Sequence, residues 1–230
     1  RRSSDLLLNS KMAKEVGGRF LVRIEDTDIS RCRPEYTERI LDDLAWLGLS
    51  WEEPVRIQSQ HFDDYDASLA QLWEKEKIYP CFCSRKRAAA SALESRDPDG
   101  QPHYGGHCRS LSRAEAENRM NRGEQFGWRI DMGACDDTTA ANWGDVMIAK
   151  RHVGSYYHIA VVTDDHLQGI THVVRGQDLF WSTSVHLLLQ RLLGIPQPTY
   201  RHHRLVEDAS GHKLSKSTQA TALRELRGGL

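Results

Sequence analysis

Long apolar runs are missing from this 230-residue chain. Hydrophobic residues make up 39% of it, and no run approaches the roughly twenty residues that span a bilayer. The expectation is of a protein without a secretory leader. An excess of either charge is missing too: 31 lysines and arginines face 32 aspartates and glutamates, leaving a formal charge of −1. Any nucleic-acid contact must therefore come from a local basic face, not from the whole chain. Cysteine is scarce and odd in number. Of five, three (Cys81, Cys83 and Cys108) crowd into one stretch. That pattern argues for metal ligation in a reducing compartment and against a disulfide frame. A cytoplasmic protein with no membrane partner is the expectation. Repeats and low-complexity tracts are absent, and the length suits one large domain or a core with a small insert.

What the sequence does hold is led by Lys213-Leu214-Ser215-Lys216-Ser217. A strand is predicted at Arg204-Leu205-Val206, and a turn over Asp208-Ala209-Ser210-Gly211 joins the two. Lysines three apart, with serines beside them, make a short polyanion-binding loop. Each ammonium is a compact charge on a flexible stem, able to follow phosphates whose geometry changes during reaction. Spacing alone favours a solvated basic loop; the upstream company argues otherwise.

That company sits at strand ends. Leu6 to Val16 reads as a helix stopped by Gly17-Gly18. Phe20-Leu21-Val22-Arg23-Ile24 is a nearly continuous apolar run, as in a parallel strand buried on both faces. It ends in Glu25-Asp26-Thr27-Asp28, and open α/β sheets bind ligands beyond the carboxyl ends of their strands. Asp26 and Asp28 suit capping of the next helix, which Pro34 opens. Glu25, nearest the sheet, is better placed to hold an ammonium. Tyr36, Ile40, Leu41, Leu44 and Leu47 give that second helix its apolar face; Tyr65, Leu69, Leu72 and Trp73 do so for a third, over about 63–77. Later, a helix runs from Ser155 through Asp164-Asp165 to a break at Gly169. The short strand Thr171-His172-Val173-Val174 then ends in Arg175-Gly176. An Arg there grips a carboxylate bidentately, unless it is a surface residue paired with Asp178. Ser182 to Leu193 is an amphipathic helix, and a last helix begins over 221–226.

Composition shifts at Pro80. The stretch to about Arg109 is rich in Asp, Pro and Gly in its middle and needs a staple. Cys81, Cys83 and Cys108 offer three thiolates for one tetrahedral zinc. The fourth donor is Tyr104, His103 or His107, histidine being the commoner zinc ligand. Four protein donors leave no open position, so such a metal is structural. Ser112-x-x-Glu115 is a capping box for a helix that Gly123 ends. The alternation of Phe126, Trp128, Ile130 and Met132 predicts a strand, with 145–150 as its partner.

Taken in order, a set of short motifs resembles the glutamyl branch of class I aminoacyl-tRNA synthetases. They are Arg23-Ile24-Glu25-Asp26-Thr27-Asp28, Trp46-Leu47-Gly48-Leu49 with Trp51, Gln58-Ser59-Gln60, and Tyr79-Pro80-Cys81-Phe82-Cys83. Asp164-Asp165-His166 with Gly169, Val174-Arg175-Gly176 and the lysine loop complete the set. Each is weak; the ordered set is specific and runs from about residue 6 to 220. The resemblance implies an α/β fold, a Rossmann-like catalytic core with an inserted zinc-bearing acceptor-binding-type subdomain. The implied division is 1–79 and 151–230 for the core and 80–150 for the insert. The zinc spacing, and an end at Leu230 soon after Ser217, are similar to the branch's short paralogues. Those lack an anticodon-binding domain and transfer glutamate to queuosine in tRNA(Asp). Their tyrosine is a zinc ligand, so the implied set is Cys81, Cys83, Tyr104 and Cys108. The branch's first strand and its His-Ile-Gly-His-like signature have no counterpart before Leu6. A sheet lacking its first strand exposes apolar edges, so a longer chain upstream is expected.

The activity implied by the resemblance is activation of L-glutamate by ATP with Mg²⁺, then transfer to queuosine of tRNA(Asp). Glu25, Tyr157 and Arg175 are the implied glutamate contacts. Lys216 and Lys213 are the implied catalytic charges, with Leu214, Ser215 and Ser217 completing the ATP loop. Arg85, Lys86 and Arg87 offer a basic face for RNA. Two rivals are a truncated catalytic domain of a glutamyl-tRNA synthetase charging tRNA(Glu), and a non-catalytic tRNA-binding paralogue.

Overall fold

The computed structural model describes residues 3–90, 93–150 and 156–205. Ser155, Val206, the turn at 208–211, the lysine loop Lys213 to Ser217 and the helix at 221–226 lie outside the described residues.

The chain opens with α1 (Ser3–Glu15), which gives way to Gly17 at φ +63°, a backbone region open to glycine. β1 (Leu21–Ile24) follows, then α2 (Pro34–Trp46) and β2 (Glu52–Ile57). β2 runs parallel to β1, with Leu21 opposite Glu52 and Ile24 opposite Ile57. β2 escapes a hydropathy reading because it starts Glu-Glu-Pro. The expected face of α2 is narrower than its sequence suggests. Leu44 is buried, and Leu41 and Leu47 pack beside it against Val22 and Leu49, but Tyr36 and Ile40 are exposed. The two short strands beneath the helix meet only its C-terminal half.

α3 (Phe62–Glu74) buries Tyr65, Leu69 and Leu72, as its periodicity predicts. β3 (Ile78–Cys81), β4 (Gly127–Ile130) and β5 (Met147–Lys150) form an antiparallel sheet in that order. The β3–β4 connection carries α4 (Arg85–Ala90), the cysteine segment and α5 (Arg113–Asn121). Ser112 caps α5, its side chain accepting from the Glu115 N–H. α6 (Tyr157–Leu167), β6 (His172–Gly176), α7 (Ser182–Leu193) and β7 (Thr199–His203) complete the described chain. β7 pairs in parallel with β6, placing Arg175 opposite His202. Of the strand expected at 204–206, Arg204 and Leu205 follow β7 without joining it, and Val206 lies outside the described residues; the strand seen here is Thr199–His203. Thr-Tyr-Arg-His-His is too polar to read as a strand without its partner.

One core joins these parts. Tyr65 and Leu72 of α3, Ile130 and Ile148 of the antiparallel sheet, Ile159 of α6 and Leu188 of α7 share it, all but fully buried. The parallel pairs β1–β2 and β6–β7 are separate sheets among the described residues. α1 borders β6, where the Asn9 amide donates to the Val174 carbonyl at 2.6 Å and accepts from its N–H at 3.3 Å.

Candidate active site

Two adjacent aspartates of α6 organise the strand ends. Asp164 is fully buried and accepts hydrogen bonds from Arg56 Nε (2.6 Å), Gln58 Nε2 (2.8 Å) and Tyr65 OH (3.0 Å). Asp165 pairs with Arg23 Nη1 at 2.8 Å. Arg23, on β1, also approaches Asp164 (3.7 Å) and Glu25 (3.6 Å). Burial works against the Arg23 charge, but Asp165, Glu25 and Asp164 outweigh it and hold the guanidinium above its usual range. The Tyr65 hydroxyl is pushed up by burial and then by Asp164. A buried anion this well satisfied fixes the first strand pair to α6.

The carboxylates after β1 do not cap α2. Asp26 accepts from the Ser59 N–H (2.8 Å) and Oγ (2.6 Å), tying the loop after β1 to the loop after β2. Asp28 takes Ser30 (2.6 Å) and Arg31 (3.3 Å), while Arg33 precedes α2 without a side-chain cap. Pro34 at the first turn removes one of the donors that a cap would satisfy. Glu25 stands exposed at the β1 carboxyl end.

Arg175 is 0% exposed, which excludes a surface Arg paired with Asp178. Its Nη2 donates to Thr183 Oγ1 (2.6 Å), Nη1 to His186 Nδ1 (3.2 Å) and Nε to His202 Nε2 (3.4 Å). The guanidinium lies 4.9 Å from the centre of the Tyr200 ring. His186 Nε2 is 3.1 Å from His158 Nδ1, and the Tyr157 ring is 5.7 Å from that of His186. Burial, then the Arg175 charge, pushes His158 down to about 4. The Tyr200 hydroxyl is raised chiefly by burial; it also feels Asp165, Arg175 and Tyr157. Arg175 and Tyr157 thus border one region, which Glu25 joins through Arg23 and Asp165. Sequence reasoning did not single out Thr183, His186 or His202. The 183–186 spacing on a helix places two polar side chains on one face, and that was the available signal.

In the insert, Cys81, Cys83 and Cys108 hold their sulfurs within 4.8 Å of one another. Cys83 and Cys108 Sγ are 3.6 Å apart, close to the roughly 3.8 Å edge of a tetrahedral zinc–sulfur site. The Tyr104 hydroxyl lies 3.3 Å from Cys83 Sγ and accepts from the Cys108 N–H at 3.1 Å. Neither histidine points there: His103 engages Ser95 and the Asn142 carbonyl, and His107 engages Arg87. Burial raises the Cys83 thiol and, with the three thiols, the Tyr104 phenol. Burial alone would raise Cys81 too, but hydrogen bonds from Tyr104 and the Cys83 backbone, with Arg129 near, bring it below its usual value. Three thiols and a phenol in this arrangement fit one zinc ion. Behind them, buried Asp145 accepts from Tyr79 OH and from Arg109 Nε (2.8 Å), fastening the residue after Cys108 to the sheet.

Parallel strand pairs with charged residues at their carboxyl ends, beside an antiparallel sheet whose β3–β4 connection carries a three-thiol cluster, define an α/β architecture. The family described as tRNA synthetases class I (E and Q), catalytic domain, matches residues 3–227. The chain is 39% identical to the glutamyl-Q tRNA(Asp) synthetase of Rhodobacter capsulatus, covering 96% of this chain and 87% of that protein. Identity to the protein of the same name from Thiobacillus denitrificans is 41%, over 93% of this chain and 71% of that one. A solved glutamate tRNA ligase from Elizabethkingia meningosepticum, in complex with its amino acid, superposes with a TM-score of 0.77 at 27% identity. The match covers 93% of this chain and 48% of that one, so the chain spans about half the length of that solved relative. The chain belongs to the glutamyl and glutaminyl class I tRNA synthetase catalytic-domain family and is an enzyme of the ligase type. No helix among the described residues is long and apolar enough to cross a membrane.

Proposed function

We propose that the protein activates L-glutamate with ATP and Mg²⁺ and transfers it to queuosine in the anticodon loop of tRNA(Asp), in the cytoplasm. The observation that carries this reading is Arg175: a fully buried guanidinium at the carboxyl end of β6, with each of its nitrogens held by a described neighbour. A guanidinium so fixed suits a planar carboxylate. In the reaction a glutamate carboxylate oxygen attacks the α-phosphorus of ATP; the bond to the β-phosphate bridging oxygen breaks and pyrophosphate leaves. Arg175 pairs with a carboxylate of the substrate, Glu25 accepts from its ammonium, and Tyr157 donates its hydroxyl. Lys213 and Lys216, with Leu214, Ser215 and Ser217, lie outside the described residues; on this reading they neutralise charge on the phosphates. A queuosine hydroxyl then attacks the acyl carbon and AMP leaves. Mg²⁺ would share the phosphate charge.

Cys81, Cys83, Tyr104 and Cys108 would hold one zinc, which when bound staples the insert. Arg85, Lys86 and Arg87, all exposed on α4 beside the cysteines, supply the local basic face that a near-neutral chain needs for RNA. The names of the two relatives support queuosine as acceptor. The test supplies labelled glutamate and ATP to the full-length protein with tRNA(Glu) or queuosine-containing tRNA(Asp). Label appears on the second alone, and survives periodate oxidation of the 3′ end. Label on tRNA(Glu) that periodate blocks establishes instead a glutamate-tRNA ligase, as the solved relative is named.

A further inference from the structure

The hydrogen-bond directions around Arg175 fix the protons of three histidines. Arginine donates and never accepts. His186 Nδ1, 3.2 Å from Arg175 Nη1, must therefore be bare, and the proton of the neutral ring sits on Nε2. That nitrogen faces His158 Nδ1 at 3.1 Å, so His158 carries its own proton on Nε2. His202 Nε2 takes the Arg175 Nε–H at 3.4 Å and lies 2.9 Å from Thr183 Oγ1. It is bare as well, and His202 is the Nδ1–H tautomer. Thr183 Oγ1 receives Arg175 Nη2. The guanidinium fork is thus aimed from β7 by His202 and from α7 by Thr183 and His186. His186 is itself 0% exposed and aimed by His158 of α6.

An aliphatic side chain would fill the His186 position equally well in a purely structural core. A ring whose bare nitrogen meets a buried guanidinium does something more: it fixes the angle of the fork that the substrate meets. We propose that His186, backed by His158, is a positioning residue that aims Arg175 and thereby sets selection of glutamate over glutamine. The inference rests on the glutamate reading above. A misaimed fork loses the second of two parallel bonds to a carboxylate, and with it the penalty that an uncharged amide suffers.

Two variants separate positioning from packing. His186→Leu keeps bulk and removes the acceptor; His186→Asn places an amide oxygen near the position of Nδ1. In glutamate-dependent ATP–pyrophosphate exchange, His186→Leu should raise the glutamate KM at least about tenfold, the loss expected of a hydrogen bond to a charged group. The ATP KM should stay within about twofold, and the preference for glutamate over glutamine should shrink. His186→Asn should recover most of both. A wild-type glutamate KM in His186→Leu, or an Asn variant no better than the Leu variant, overturns the proposal. ¹⁵N NMR of the histidines in the full-length protein gives a readout that needs no substrate. His186 should be the Nε2–H tautomer, and an Nδ1–H tautomer overturns the positioning role by itself. Absence of glutamate-dependent exchange in the wild type defeats the glutamate reading instead, and the tautomer still decides whether His186 aims Arg175.

Discussion

The strand-end cleft and the cysteine insert both bury polar atoms, and they satisfy them in opposite ways. In the cleft, charge meets charge: Asp164 gathers Arg56, Gln58 and Tyr65, Asp165 holds Arg23, and Asp26 is clamped by Ser59. In the insert, like donors turn toward each other, with Cys83 flanked by Cys108 at 3.6 Å and Tyr104 at 3.3 Å. Burial drives Cys83 and Tyr104 toward their protonated forms. A divalent cation reverses that tendency, since metal binding releases ligand protons and returns the binding energy as folding energy. The contrast teaches where each region's order comes from. The strand-end region satisfies its charges from within; the cysteine segment is built around donors that suit a resident ion.

The largest effect expected from breaking this contrast is at Asp164. Asp164→Ala takes the buried counter-charge from Arg56 and the shared acceptor from Gln58 and Tyr65, while Arg23 keeps Asp165, and should cost ~3–5 kcal/mol of unfolding free energy in urea melts. A loss under about 1 kcal/mol would show that the cleft's charges are satisfied by water and not by one another.

Acid should act on the cleft next. His158 is held near 4 in the folded protein against 6.5 ordinarily, so between those values the unfolded chain binds the extra proton. Its contribution is neutral above about pH 6.5, and stability falls as pH drops from there toward 4. From pH 7 to 5 that amounts to about 2 kcal/mol. His158→Gln should flatten that part of the stability-versus-pH curve; a curve unchanged by the substitution would mean that His158 takes up its proton in the folded state as easily as in the unfolded.

The smallest effect sharpens the insert side. Ser112→Ala removes the α5 cap and should cost ~1 kcal/mol by urea midpoint, whereas Ser112→Asp should stay within a few tenths. An equal loss for both would assign the effect to something other than capping.

Much of this contrast was legible in the sequence, unevenly. The cap of α5, the core face of α3 and the ends of α7 followed from local chemistry, because capping and periodicity are read within a few residues. β2 and β7 were not, since Glu-Glu-Pro and Thr-Tyr-Arg-His-His form strands through their partners β1 and β6 and not through their own hydropathy. Asp26 and Asp28 misled for a related reason: each had a good local role as a cap, and a distant residue, Ser59, claimed the first. The cysteines were readable as a group, but spacing could not choose among Tyr104, His103 and His107. The resemblance pointed to Tyr104; the fold turns its hydroxyl toward Cys83 and bonds both histidines elsewhere, contacts that no spacing rule contains. The Arg175 cradle needed three elements, β6, β7 and α7, to meet.

The division of labour is tested most directly by one paired measurement: zinc content and glutamate-dependent ATP–pyrophosphate exchange in full-length Arg175→Ala and Cys83→Ala. Arg175→Ala should keep about one equivalent of zinc and lose on the order of 10²-fold or more in kcat/KM for glutamate, from a loss of ~3 kcal/mol. Cys83→Ala should lose its zinc and thermal stability while its exchange rate stays within about an order of magnitude of wild type. An Arg175→Ala protein that activates glutamate normally, beside a Cys83→Ala protein that has lost exchange but not stability, would contradict the account.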